Sequence, residues 1–91
     1  MAYILIQHSV KDFAAWKKFF DSPEAENLRK SNGEISAQVL RDASDPNKLT
    51  VINKWDSLAN AQKFAHSPEL KAAMEKAGVN GAPTVSFLNE A

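Results

Sequence analysis

The chain has no cysteine, no excess of charge of either sign and no long apolar run. Without cysteine, a disulfide framework and a thiolate metal site are both excluded. Eleven basic and eleven acidic side chains cancel, which removes the electrostatic attraction that draws proteins to nucleic acid or an anionic membrane. No segment reaches the length of a membrane span, and Tyr3 to Ile6 is too short for the core of a signal peptide. A cytoplasmic protein is the expectation. Phosphate loops, dinucleotide fingerprints, nucleophile elbows and paired-histidine metal motifs are missing too. The two histidines, His8 and His66, are far too widely spaced for a zinc site.

What is there reads as β-α-β-β-α-β in one small domain, residues 1–91. Tyr3 to Val10 alternates as a strand, with Ile4, Ile6, His8 and Val10 on one face and Tyr3, Leu5, Gln7 and Ser9 on the other. Asp12 caps a helix whose apolar stripe is Phe13, Trp16 and Phe20. Ser22-Pro23-Glu24 restarts it, with Ser as cap and Pro in the first turn, and Asn32-Gly33 stops it. Glu34 to Asp42 and Lys48 to Trp55 form a hairpin around Asp45-Pro46-Asn47, residues suited to a tight turn. Asp56-Ser57 opens a second helix that buries Leu58, Ala61, Phe64 and Ala65. Ser67-Pro68-Glu69 restarts it, Leu70, Ala73, Met74 and Ala77 continue the stripe, and Gly78 ends it. Asn80-Gly81-Ala82-Pro83 reads as a loop before a last strand, Thr84 to Asn89.

A shift of 45 residues superposes the two halves. Lys18 falls on Lys63, Phe19 on Phe64, Ser22-Pro23-Glu24 on Ser67-Pro68-Glu69, and Gly33 on Gly78. Each half is then a split β-α-β unit whose gap the other half's strand fills. The expected sheet is antiparallel in the order 4-1-3-2, a ferredoxin-like α+β fold with the helices on one face. The shift also places His8 on Asn53, at equivalent positions of the two central strands, and the two are expected opposite each other.

His8 and Asn53 are the candidate catalytic residues. An imidazole titrating near neutrality can act as a general base or bind a ligand; the same residue can sit in a core with no chemical task. An amide can orient a substrate or an oxyanion, or it can be a buried group satisfied by the backbone or by His8. Trp16, Phe20, Phe64, Met74 and Phe87 can wall a pocket for a flat apolar ligand; residues at helical spacing also make plain core. Trp55 reads as packing or an interface contact. Arg41, Asp42 and Asp45 read as a surface charge cluster, and His66 as solvated.

These features resemble the dimeric α+β barrel superfamily, in its branch of small antibiotic-biosynthesis-monooxygenase-like proteins. The resemblance rests on Asp12-Phe-Ala-Ala-Trp-Lys, Leu40-Arg-Asp-Ala-Ser-Asp-Pro-Asn-Lys, Lys54-Trp-Asp-Ser-Leu and Phe64-Ala-His-Ser-Pro-Glu-Leu-Lys-Ala-Ala-Met. It implies a homodimer in which two sheets pair face to face, in keeping with a first strand that is apolar on both sides. It also implies either a cofactor-free monooxygenase-like or isomerase-like enzyme on an apolar, aromatic or polyketide-like substrate, or a non-catalytic stress-response or assembly module. The chain departs from the pattern of the superfamily's heme-degrading branch. That branch uses an Asn on the first strand and a Trp and an axial His on the second helix, where Gln7 or His8, Phe64 and Met74 stand here. No cofactor or metal is expected.

Overall fold

A computed structural model describes residues 1–91. The order is β1 (Ala2–Val10), α1 (Phe13–Phe20), α2 (Pro23–Ser31), β2 (Glu34–Arg41), β3 (Lys48–Trp55), α3 (Leu58–Ala65), α4 (Pro68–Ala77) and β4 (Val79–Asn89). The sheet runs β2-β3-β1-β4 with every pair antiparallel. This is the ferredoxin-like order expected from the split repeat.

Local chemistry sets the boundaries. The Asp12 carboxylate accepts from the Ala14 N–H at 3.0 Å, and the Ser22, Ser57 and Ser67 hydroxyls accept from the N–H groups of Ala25, Asn60 and Leu70. Each hydrogen bond satisfies a donor that a helix start leaves unpaired. Pro23 and Pro68 occupy the first turns of α2 and α4, where a missing N–H does no harm. At Gly33, φ is +112°, and a Cβ there would sit 2.6 Å from Asp56 Oδ1. Only glycine fits that turn. Gly78 closes α4 in the left-handed conformation, with φ at +83°.

Two expected boundaries move. β2 ends at Arg41 because the Asp42 carboxylate turns back to accept from the N–H groups of Ser44 and Asp45. More substantially, Asn80-Gly81-Ala82-Pro83 is strand, not loop: β4 begins at Val79, with Val79 paired to Val10 and Asn80 to Ser9. An irregularity between Gln7 and Ser9, with Gly81 at φ +67°, absorbs the turn-forming residues. The hairpin tip is anchored as well. The Asn47 side chain accepts from the Phe13 N–H, and its carbonyl accepts from Val10 N–H at 2.8 Å. Arg41 lies 3.9 Å above the Phe13 ring, so it packs on the first helix as well as carrying surface charge.

Packing divides the sheet's two faces. Ala2, Ile4, Ile6, His8 and Val10 of β1, and Leu49, Val51, Asn53 and Trp55 of β3, are all buried beneath the helices. One cluster joins Ile4, Ile6, Trp55, Ala61 and Phe64; the other joins Val10, Trp16, Leu49 and Val51. Between the two rows, Ile6 and Val51 are directly paired. The opposite face has no cover. Tyr3, Leu5 and Ile52 are half-buried there and Leu40 and Leu88 are exposed. None of the helices is long and apolar enough to cross a membrane.

Candidate ligand cavity

A cavity of about 70 Å³ lies between the two central strands and the helices. Its floor is Ile6, His8, Val51 and Asn53. Trp16 and Phe20 of α1, Leu28 and Arg29 of α2, Phe64 of α3 and Met74 of α4 are among its walls. The period-two pattern of β1 and β3 explains the floor: every second residue points at the helices. The stripes of α1, α3 and α4 supply the walls. Trp16 and Phe20 stack with ring centroids 4.9 Å apart. Of the sequence candidates, Trp16, Phe20, Phe64 and Met74 line the cavity together with His8 and Asn53. Phe87 does not. It faces the helices from the outer strand β4, packs against the Ile4–Trp55 cluster and lies 6.2 Å from the His66 ring.

His8 and Asn53 are not opposite each other. The register sets His8 against Leu49 and Asn53 against Ile4. Antiparallel strands run past each other, so positions equivalent in the repeat end up at opposite ends of the floor. At about 3.3 Å per residue along a strand, their Cα atoms stand roughly 14 Å apart. Ile6 and Val51 fill the interval.

The two ends differ chemically. His8 is 8% exposed, and its Nδ1 is buried without a hydrogen-bond partner. Its ring lies 5.7 Å from Trp16. Burial away from water lowers its pKa below 6.5, so the ring is neutral at neutral pH. A neutral imidazole with a free nitrogen can exchange a proton or a hydrogen bond with a ligand.

Asn53 is held. Its Nδ2 donates to Glu34 Oε2 at 2.7 Å. Arg29 Nε lies 3.0 Å from Glu34 Oε2 and 3.2 Å from Oε1. The guanidinium also donates to the Phe20 carbonyl at 3.0 Å and covers the Phe20 ring at 3.8 Å. The Glu34 side chain is 2% exposed and that of Arg29 12%. Arg29 and Glu34 were not among the sequence candidates. A signal was present in the repeat: Glu34 follows Gly33 as Val79 follows Gly78, placing a charge where the other half has an apolar residue.

A larger groove of about 630 Å³ runs outside, between α4 and β4, past His66, Lys71 and Val85. Leu70 and Met74 border both spaces. No three His, Asp or Glu side chains gather in a way that would hold a metal ion.

Comparison with known proteins follows the same lines. The sequence profile of the family described as antibiotic biosynthesis monooxygenase matches residues 22–76. A candidate antibiotic biosynthesis monooxygenase from Bordetella bronchiseptica superposes with a TM-score of 0.78 at 14% identity, over 99% of this chain and 96% of that one. SnoaB, a cofactor-independent oxygenase from Streptomyces nogalater, gives 0.74 at 12% identity, over 99% and 92%. A further candidate of the same description, from Caulobacter crescentus, gives 0.73 at 18% identity, over 99% and 89%. At these identities the structures share the fold. No curated protein matches by sequence.

Proposed function

Since the chain belongs to the antibiotic biosynthesis monooxygenase family, with the matched segment running from the cap of α2 to the last turn of α4, we propose that it binds a small, mostly apolar molecule in the cavity. The observation that carries this reading is that one cavity touches both His8 and Asn53. A core built only for stability would be filled there. We further propose a homodimer: Tyr3, Leu5, Leu40, Ile52 and Leu88 put apolar surface on all four strands of the uncovered face, which a second sheet would bury.

The reaction class that fits is chemistry on an activated carbon acid without a bound cofactor. His8 accepts a proton from the ligand, leaving a carbanion conjugated with the ring system. Returning that proton to another carbon completes an isomerisation. Reaction of the carbanion with dioxygen completes a monooxygenation, in which one oxygen atom enters the product and the other leaves as water. The apolar walls shield the carbanion from water. The size of the cavity limits the ligand. An apolar cavity of roughly 150 Å³ takes benzene, so even a single ring requires the walls to give. Met74, unbranched and flexible, is the natural part to move, and it borders the outer groove.

A specific observation keeps a second, non-catalytic reading in play. Asn53 has a partner inside the protein, Glu34, as a structural amide would. Oxygen uptake and product formation over a panel of aromatic and polyketide-like carbon acids separate the two. Turnover that disappears in His8→Ala, with the fold intact by circular dichroism, supports catalysis; turnover unchanged in that variant removes His8 from the site. A monomer by sedimentation at micromolar concentration would rule out the homodimer.

A further inference from the structure

The Arg29–Glu34 pair is more than the fold demands at its position, and the chain contains its own control. Under the 45-residue shift Arg29 falls on Met74, Glu34 on Val79, Asn53 on His8 and Trp55 on Val10. The pairings repeat faithfully: Glu34 lies opposite Trp55 as Val79 lies opposite Val10. The second half therefore carries Met74 and Val79 at the matched positions, with no charge. A buried ion pair is in general no more stabilising than well-packed apolar residues of similar volume. Stability alone gives no reason for the charged version.

Its chemical consequence is specific. A carboxylate only accepts, so it fixes which end of the Asn53 amide faces it. Nδ2 is turned to Glu34. Asn53 borders the cavity and Glu34 does not, so Oδ1, which takes no hydrogen bond from the protein, is the end left for a ligand. Arg29 also borders the cavity, but its charge is matched by Glu34 at 3.0 Å. The wall offers an acceptor and no net charge.

We propose that Glu34, itself held by Arg29, is a positioning residue that locks the Asn53 amide with Oδ1 toward the cavity, making the site selective for a neutral ligand that donates a hydrogen bond, a hydroxyl on an apolar ring, over an ether or an anion. This rests on the cavity being a ligand site. The test is a titration of the nitrogen-15-labelled protein with phenol, anisole and benzoate at neutral pH, followed through the backbone amides of Ile6, Val51 and Asn53. One net hydrogen bond predicts phenol binding about fivefold tighter than anisole, with benzoate weakest. Arg29→Met/Glu34→Val gives the first half the residues of the second. In that variant the phenol-to-anisole ratio falls toward one while both still bind, a change that a loss of stability alone would not produce. Equal binding of phenol and anisole by the unaltered protein, tightest binding of benzoate, or an unchanged ratio in the variant overturns the selectivity while leaving the cavity a binding site. No response at the cavity amides to any of the three overturns the ligand reading along with it.

Discussion

The two halves of the chain are built to one plan and finished differently. α1 and α3 each span eight residues, and every α-helix is capped by Asp or Ser. β2 and β4 each begin directly after a positive-φ glycine, Gly33 and Gly78. The difference lies where each half meets the cavity. The first half closes over Asn53 with Arg29 and Glu34; at the matched positions the second has Met74, packed against the Ile4–Trp55 cluster, and Val79, packed beside Val10, and neither gives His8 a hydrogen-bond partner. One polar group is thereby fastened and the other left with an unpartnered nitrogen. Under the proposal above, the choice between the two arrangements belongs to the site rather than to the fold.

Substitutions at matched positions test that comparison. The largest contrast is at the closing corner. Glu34→Ala strands a mostly buried Arg29 and is expected to cost about 3–5 kcal/mol. Val79→Ala should cost about 1 kcal/mol. The double change Arg29→Met/Glu34→Val removes both charges and leaves only the Asn53 amide without its partner, so it should cost about 1–3 kcal/mol, less than Glu34→Ala, all read by urea denaturation. A double variant as unstable as Glu34→Ala would show that the halves are not interchangeable there.

The glycines come next. Gly78→Ala meets only the left-handed backbone, a penalty of about 1–2 kcal/mol, because nothing lies within 4 Å of the new Cβ. Gly33→Ala adds the collision with Asp56 and should lower the thermal midpoint further. Equal losses would mean that the Asp56 side chain moves aside freely.

Smaller still, Ser22→Ala should cost about 1 kcal/mol; both hydroxyls cap at 3.2 Å, but that of Ser67 also donates to the Phe64 carbonyl at 2.7 Å, so Ser67→Ala should cost more. The smallest effect is a slope with pH. Burial holds the His8 pKa below 6.5 in the folded chain. Between the folded pKa and 6.5 the unfolded chain binds the extra proton, so stability increases with pH across that window and is lost on acidification. Above 6.5 this contribution is fully present. His8→Gln should flatten the slope in denaturation midpoints collected across the window; an unchanged slope would assign it to other groups.

The comparison also explains what the sequence discloses. Caps, helix restarts and the alternation of β1 and β3 are local patterns, so the fold and the inward direction of His8 and Asn53 are legible without coordinates. The start of β4 was legible in principle. The repeat that maps Glu34 onto Val79 places a strand there, but Gly81 and Pro83 favour a loop locally, and pairing with Val10 and Ser9 prevails. The spacing of His8 and Asn53 is not legible in the sequence, because a repeat conveys equivalence, whereas antiparallel register decides proximity. The Asn53–Glu34 hydrogen bond joins residues on adjacent strands of different halves, a contact no local pattern encodes. Phe87 has the right chemistry for the cavity but sits on the outer strand.

The proposed chemistry and the proposed selectivity both depend on one space between sheet and helices joining the two halves. A crystal grown with 4-bromophenol and measured at the bromine absorption edge reports on it directly. The bromine peak should lie over Ile6 and Val51 toward His8, with the hydroxyl within hydrogen-bonding distance of Asn53 Oδ1 and Met74 displaced. Peaks confined to the uncovered sheet face or to the groove between α4 and β4, with Met74 in place, would contradict the account.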